Sequence, residues 1–215
     1  MPIQDFIPTS GQVFHDGLSE LENIRRKFHY YPKDVWLYQL AAQWIKIFEE
    51  REFVGRCGDV GDELGSMVIA ARQVKNLMRL CFLMERNYAP YSKWFGTAFS
   101  QLECAPELSP IFREVLLSLT WKERERHLSR AYEVIARLHN GLQITQTIPE
   151  EVSNYFGRPY LVLEAPDLVR DIINSFNDEE VKAIKHGLGS VNQFVDSTDQ
   201  LSDMSLCEML KAVYR

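Results

Sequence analysis

Apolar residues recur along this chain at spacings of three and four, the period of a helix face. After Pro32 the series Val35/Trp36, Leu40, Trp44 and Ile47/Phe48 builds one such face. Over residues 59–85, Val60, Leu64, Met67/Val68, Ala71, Val74, Met78 and Cys81 fall on a single stripe, which predicts that this segment is the central helix. Ser109 before Pro110 offers a capping hydroxyl and an N1 proline, and so predicts a helix opening at IFREVLLSL. Residues 121–142 carry a third stripe through Leu128, Ala131/Tyr132, Ile135 and His139. Strict two-residue alternation is nearly absent. The predicted fold class is therefore all-α: a helical bundle over residues 1–148, followed over 149–215 by a connector and smaller helices that pack on the same domain. Pro149, Pro159, Pro166 and the turn-like GRPY mark the connector, and the smaller helices are expected at 167–176, 178–186 and 204–214.

Composition narrows the setting. A chain of 215 residues that is 46% hydrophobic can bury one sizeable core without staples. The four cysteines, Cys57, Cys81, Cys104 and Cys207, form no CxxC pair, which predicts reduced thiols and no zinc site. No secretory segment opens the chain, and the richest apolar run, LMRLCFLM, is short and broken by Arg79. A soluble, cytoplasmic protein with no membrane partner is expected. The net charge of −6 lacks the positive field that dominates non-specific binding to nucleic acid, so nucleic acid is not an expected partner.

The stretch GRCGDVGDELGS, residues 55–66, holds the most suggestive chemistry. Its glycines match neither GxGxxG nor GxxxxGK[ST], and no strand pattern precedes them. Asp59, Asp62 and Glu63 are placed in the first turn of the 59–85 helix. There they either complement the helix dipole, by about 0.3–1 kcal/mol each, or face a cleft that holds a cationic substrate or a metal. Further along, Arg72, Lys75, Arg79 and Arg86 share an arc of roughly 60° beside the apolar stripe. That ridge reads either as a solvated face or as a wall for phosphate or acid. Tyr91, Lys93 and Trp94 lie in an aromatic segment that either lines a pocket or packs in the core. His139, on an apolar face, reads as a core histidine. The mixed charges of 124–137 read as i,i+4 pairs on a solvated face, Glu133 with Arg137 the clearest.

The segments GRCGDVGDELGS, AARQVKNLMRLCFLMERNYAPYSKWFGTAF, AYEVIARLHNGL, RPYLVL and GSVNQFVDSTD resemble a bacterial family of unknown function, domain of unknown function 4037. Members of that family look like nucleotidyltransferase proteins. The resemblance implies a helical bundle similar to the C-terminal half of kanamycin and other aminoglycoside nucleotidyltransferases, where it completes a substrate cleft beside an α/β core. Here Gly65-Ser66 runs into a helix with no Asp-x-Asp downstream, and the core's strands are missing. The resemblance therefore implies an accessory half with no catalytic residues and no metal or cofactor of its own. Mg²⁺ and nucleotide would enter only with a catalytic core. The implied function is a substrate-binding or partner-docking domain. Asp59, Asp62 and Glu63 would face substrate, with Tyr91, Lys93 and Trp94 as further candidates, while Arg72, Lys75 and Arg79 would face phosphate or the core. The expected partners are that core, a second copy of the chain or a small-molecule substrate. Two other classes stay open: a stand-alone interaction module with an exposed apolar patch, and a metal-dependent enzyme using Asp59, Asp62 and Glu63.

Overall fold

The structure is a computed structural model, and it describes residues 12–185 and 187–214. It is an all-α bundle. A short helix, α1 (Glu20–Lys27), leads into α2 (Lys33–Glu49), α3 (Phe53–Asp59), α4 (Glu63–Met84), α5 (Ser92–Phe99), α6 (Ala105–Leu117) and α7 (Trp121–Gly141). The connector contains a two-stranded antiparallel ribbon, β1 (Ser153–Asn154) and β2 (Leu161–Val162), in which Ser153 faces Val162. The remaining helices are α8 (Leu168–Asn174), α9 (Glu179–Ala183), α10 (Val191–Phe194), α11 (Thr198–Ser202) and α12 (Met204–Leu210). The expected helix over 178–186 thus covers α9, while its last residue, His186, lies outside the described residues, as do residues 1–11. Among the described residues no helix is long and apolar enough to cross a membrane.

The expected central helix is found in the larger part of 59–85: α4 packs against α2, α3, α6 and α7, while α2 is the helix most fully buried. Trp36 to Trp44 and Ile47 are all buried, and Ile45, Lys46 and Phe48 are half-buried, because α4 packs on one side of α2 and α8 on another. Burying a Trp or Leu side chain stabilises a fold by about 1.5–3 kcal/mol, so this helix carries a large share of the core. Its polar groups are satisfied from neighbouring elements. Trp36 Nε1 donates to the Leu83 carbonyl at 2.8 Å, and Trp44 Nε1 donates to His139 Nδ1 at 3.3 Å. The Asp34 carboxylate accepts from the backbone N–H groups of Asn177 and Asp178, which ties the start of α9 to the start of α2.

Residues 59–85 do not form one helix. Gly61 takes a left-handed φ of +83°, which ends α3 and lets Asp62 cap α4. The inner face of α4 is also turned by roughly a quarter turn from the apolar stripe. It runs through Ser66, Ala70, Gln73/Val74, Leu77 and Leu80/Cys81, leaving Val60, Leu64, Met67 and Val68 exposed. Two polar residues on that face have interior partners, which a count of apolar positions misses: Gln73 donates to the Ile47 carbonyl, and Ser66 meets Arg124.

α6 also starts earlier than expected. It opens at Ala105 with Pro106 in its first turn, while Pro110 sits inside the helix. Glu85, at the end of α4, accepts from the backbone N–H groups of Glu103 and Cys104, which supplies a start signal from elsewhere in the chain. α7 bears out its stripe, with Leu128, Ala131, Tyr132, Ile135 and His139 buried. The solvated-face reading of 124–137 is corrected at its start. Arg124 is 1% exposed and Glu125 is 8% exposed, while Arg137 pairs with Glu107 of α6 at 2.6 Å. The Arg124 guanidinium donates to Glu63 Oε2 at 3.1 Å, Ser66 Oγ at 2.8 Å and the Ser118 carbonyl at 2.9 Å.

Two substitutions test this packing. A Cβ at Gly58 would stand 2.0 Å from Trp121 Cγ, so Gly58→Ala should cost about 1–3 kcal/mol through overpacking. Arg124→Met would strand the buried Ser66 hydroxyl and the Ser118 carbonyl, at a cost of about 2–4 kcal/mol. Urea midpoints at an unchanged denaturant slope measure both losses. A loss within experimental error at either site would remove that contact from the account.

Candidate functional site

The residues singled out in the sequence fall in three separate places. Arg72, Lys75 and Arg79 come together. With Lys46 and Glu49 from α2, Glu50 just past its end, and Gln193, Phe194 and Asp196 from the C-terminal segment, they line a cleft of about 530 Å³. Arg72 pairs with Glu50 and Lys75 with Asp196, each at 2.8 Å. Arg79 lies 5.8 Å from the Phe95 ring centre, and among the described residues no carboxylate comes within ion-pair distance of it. Lys46 Nζ donates to the Gln193 carbonyl. Burial lowers the Lys46 amine, and the positive charges of Arg79, Lys75 and Arg72 lower it further. Burial likewise lowers Arg79. The Lys75 ammonium holds the Asp196 carboxyl below its ordinary range. Arg86 leaves the ridge: it lies past the end of α4 at a φ of +53°, with its guanidinium over the Trp36 ring.

The acidic group sits at the other end of α4, about 25 Å from Arg79 at a rise of about 1.5 Å per residue. Asp59 ends α3 and accepts from the Tyr160 hydroxyl at 2.9 Å. Asp62 is the N-cap of α4, its carboxylate accepting from the Gly65 N–H at 2.7 Å. Glu63 accepts from the Trp121 N–H through one oxygen and meets Arg124 through the other. These contacts join α3, α4 and α7, and they answer the question raised by GRCGDVGDELGS: the stretch is a helix end, a turn and a helix start. Among the described residues no group of three or more His, Cys, Asp or Glu side chains is arranged to hold a metal ion.

Tyr91, Lys93 and Trp94 form the third place, at the start of α5. Trp94 is half exposed with the Lys93 ammonium 5.2 Å from its ring, whereas Phe95 and Phe99 of the same helix pack against Phe82. His139 is a core histidine, as its sequence setting suggests. It lies between Trp44 and Thr145, and burial lowers it to about 4.

An apolar face adjoins the acidic turn. Val60 (81% exposed), Leu64 (73%), Leu117 (77%) and Leu119 (85%), together with Met67, Val68 and Leu116, are exposed and lie within a few residues along the chain of Glu63, Ser66 and Ser118, which Arg124 joins. A contiguous exposed patch of roughly several hundred Å² is the size that marks an interaction surface. The sequence stripe contained Val60, Leu64, Met67 and Val68 but assigned them to the core. Lys46 and Asp196 were not singled out at all. Lys46 interrupts the apolar run WIKIF, a weak signal, and nothing in the segment around Asp196 points to Lys75.

Residues 5–95 match the family model described as a domain of unknown function (DUF4037), a span of less than half the chain. No curated protein and no solved structure matches the sequence.

Glu125 gives the region around the acidic turn a pH signature. Burial beside Gly55 and Tyr160 raises its carboxyl to about 7, partly offset by a backbone hydrogen bond with Leu161. The fold therefore favours the neutral acid. That stability is fully present below the unfolded value of about 4.5 and is lost as pH rises toward 7. Glu125→Gln should raise the melting temperature at pH 8 and leave it nearly unchanged at pH 4.5. An equal shift at both pH values would contradict the assignment.

Proposed function

We propose that this chain is the helical, partner-docking half of a nucleotidyltransferase-like protein and contributes no catalytic group itself. The observation that carries this reading is the apolar face around Val60, Leu64, Leu117 and Leu119. Large aliphatic side chains with no intramolecular cover suit a dry contact with another folded domain. The segments GRCGDVGDELGS and AARQVKNLMRLCFLMERNYAPYSKWF, whose resemblance suggested this class, contribute most of α3 and α4, including the face's own Val60 and Leu64. The occupant is a catalytic α/β domain, which would bring Mg²⁺ and nucleotide with it. The acidic turn shapes the docking surface: Asp62 caps α4, while Glu63 and Arg124 hold the loop bearing Leu119 beside it.

A stand-alone interaction module is the second reading, and the same face favours it, with a second copy of the chain as occupant. Sedimentation of the isolated chain and titration with a nucleotidyltransferase catalytic domain from the same genome neighbourhood distinguish the two. The first reading expects a one-to-one complex that Leu64→Glu with Leu117→Glu weakens by about tenfold or more, with far-UV helicity retained. Unchanged affinity in that double variant, or a homodimer that the catalytic domain does not compete with, rules against it.

A further inference from the structure

The cleft between α2 and α4 is a second feature, lined by none of the apolar face's residues, and its reading is independent of the docking one. Four cations line it against the three carboxylates Glu49, Glu50 and Asp196. Arg72 is matched by Glu50 and Lys46 is attracted by Glu49, but Lys75 and Arg79 share the single carboxylate of Asp196 among the described residues that line the cleft. Cations held partly out of water without matched anions are costly unless an anion joins them.

Asp196 is weakly held. From Val191 onward the described C-terminal segment buries no large apolar side chain, and its helices α10, α11 and α12 have no buried residues. It is fastened instead by polar contacts. The Gln193 side chain donates to the Gln39 carbonyl at 3.1 Å and to Gln43 Oε1 at 3.0 Å, Lys46 donates to the Gln193 carbonyl, and the Lys75–Asp196 pair is largely exposed. A segment with few buried apolar contacts is released at low cost, and an exposed ion pair adds little to it.

We propose that Lys46, Lys75 and Arg79 form a binding site for a small multivalent oxyanion of the pyrophosphate class, and that Asp196 is the internal carboxylate this ligand displaces. The guanidinium and the two ammonium groups supply several charge-assisted donors to one cavity, and withdrawal of Asp196 leaves four cations against two carboxylates. Arg72, already paired with Glu50, forms the outer wall. Residues 190–196 then act as a strap that lies over the site when it is empty of ligand.

The test is calorimetric titration of the full chain with inorganic pyrophosphate at low ionic strength, with hydrogen exchange followed across residues 190–196. Binding is expected to weaken steeply with salt. Asp196→Asn should tighten it by about two- to fivefold, the worth of an exposed competing pair. Arg79→Gln and, separately, Lys46→Gln should each weaken it by about tenfold or more, the worth of a charge-assisted hydrogen bond. Far-UV helicity identifies any variant that fails to fold, and either variant suffices alone. Pyrophosphate should speed exchange in the strap, which a fixed polar latch would not show. Absence of binding to both the wild type and Asp196→Asn overturns the proposal. So does affinity that is indifferent to Arg79 and Lys46, or strap exchange that pyrophosphate leaves unchanged.

Discussion

The arrangement of α4, α6 and α7 depends on one buried cation. Arg124 projects from the first turn of α7 to meet three acceptors from two other chain segments: Glu63 and Ser66 from the start of α4, and the Ser118 carbonyl after the end of α6. A guanidinium presents five donors in a fixed plane, so satisfying it fixes the directions of its neighbours as well as their distances. An apolar residue of the same size would fill the space and leave those directions free. Because Glu63 remains partly exposed, its charge stays solvated while it neutralises the arginine, which spares the pair much of the desolvation cost of a fully buried one.

The same economy appears around α2. A helix buried on most sides must present few polar groups, yet this one carries Asp34, Gln39, Gln43 and two indole nitrogens. Four of these meet a partner outside α2: Asp34 the start of α9, Gln43 the Asn76 carbonyl of α4, Trp36 the Leu83 carbonyl near the end of α4, and Trp44 the end of α7. Gln39 differs in that its backbone carbonyl receives Gln193. Satisfied buried polar groups give a core directional information that apolar contact alone lacks. Here they set which neighbour lies on which side of α2.

The class of fold and most helix positions were legible in the sequence because three- and four-residue periodicity survives in α2 and α7, whose apolar faces really are inward. It failed on α4, where Ser66 and Gln73 face inward and Leu64 and Val68 face out. A periodicity count scores polar residues as outward, and the partners that make these two exceptions, Arg124 and the Ile47 carbonyl, are distant in sequence. The break at Gly61 was hidden for a related reason: a single left-handed residue between two helical patterns leaves the count of apolar positions intact. At the cleft, helical spacing alone grouped Arg72, Lys75 and Arg79. Lys46 and Asp196 lay beyond reach, since their placement depends on how α2 and the C-terminal segment fold against α4.

The packing of α8 on α2 has a consequence for the order in which the chain assembles. Leu168 and Ile172 come from the last quarter of the sequence, and the helix they cover comes from the first quarter. During synthesis α2 therefore emerges early with that side unsheltered. Closure of this contact spans most of the chain, a long loop whose ends meet slowly. Until then the first large apolar helix is the part of the nascent protein most open to wrong partners, and a chaperone that recognises exposed aliphatic and aromatic side chains would find it there.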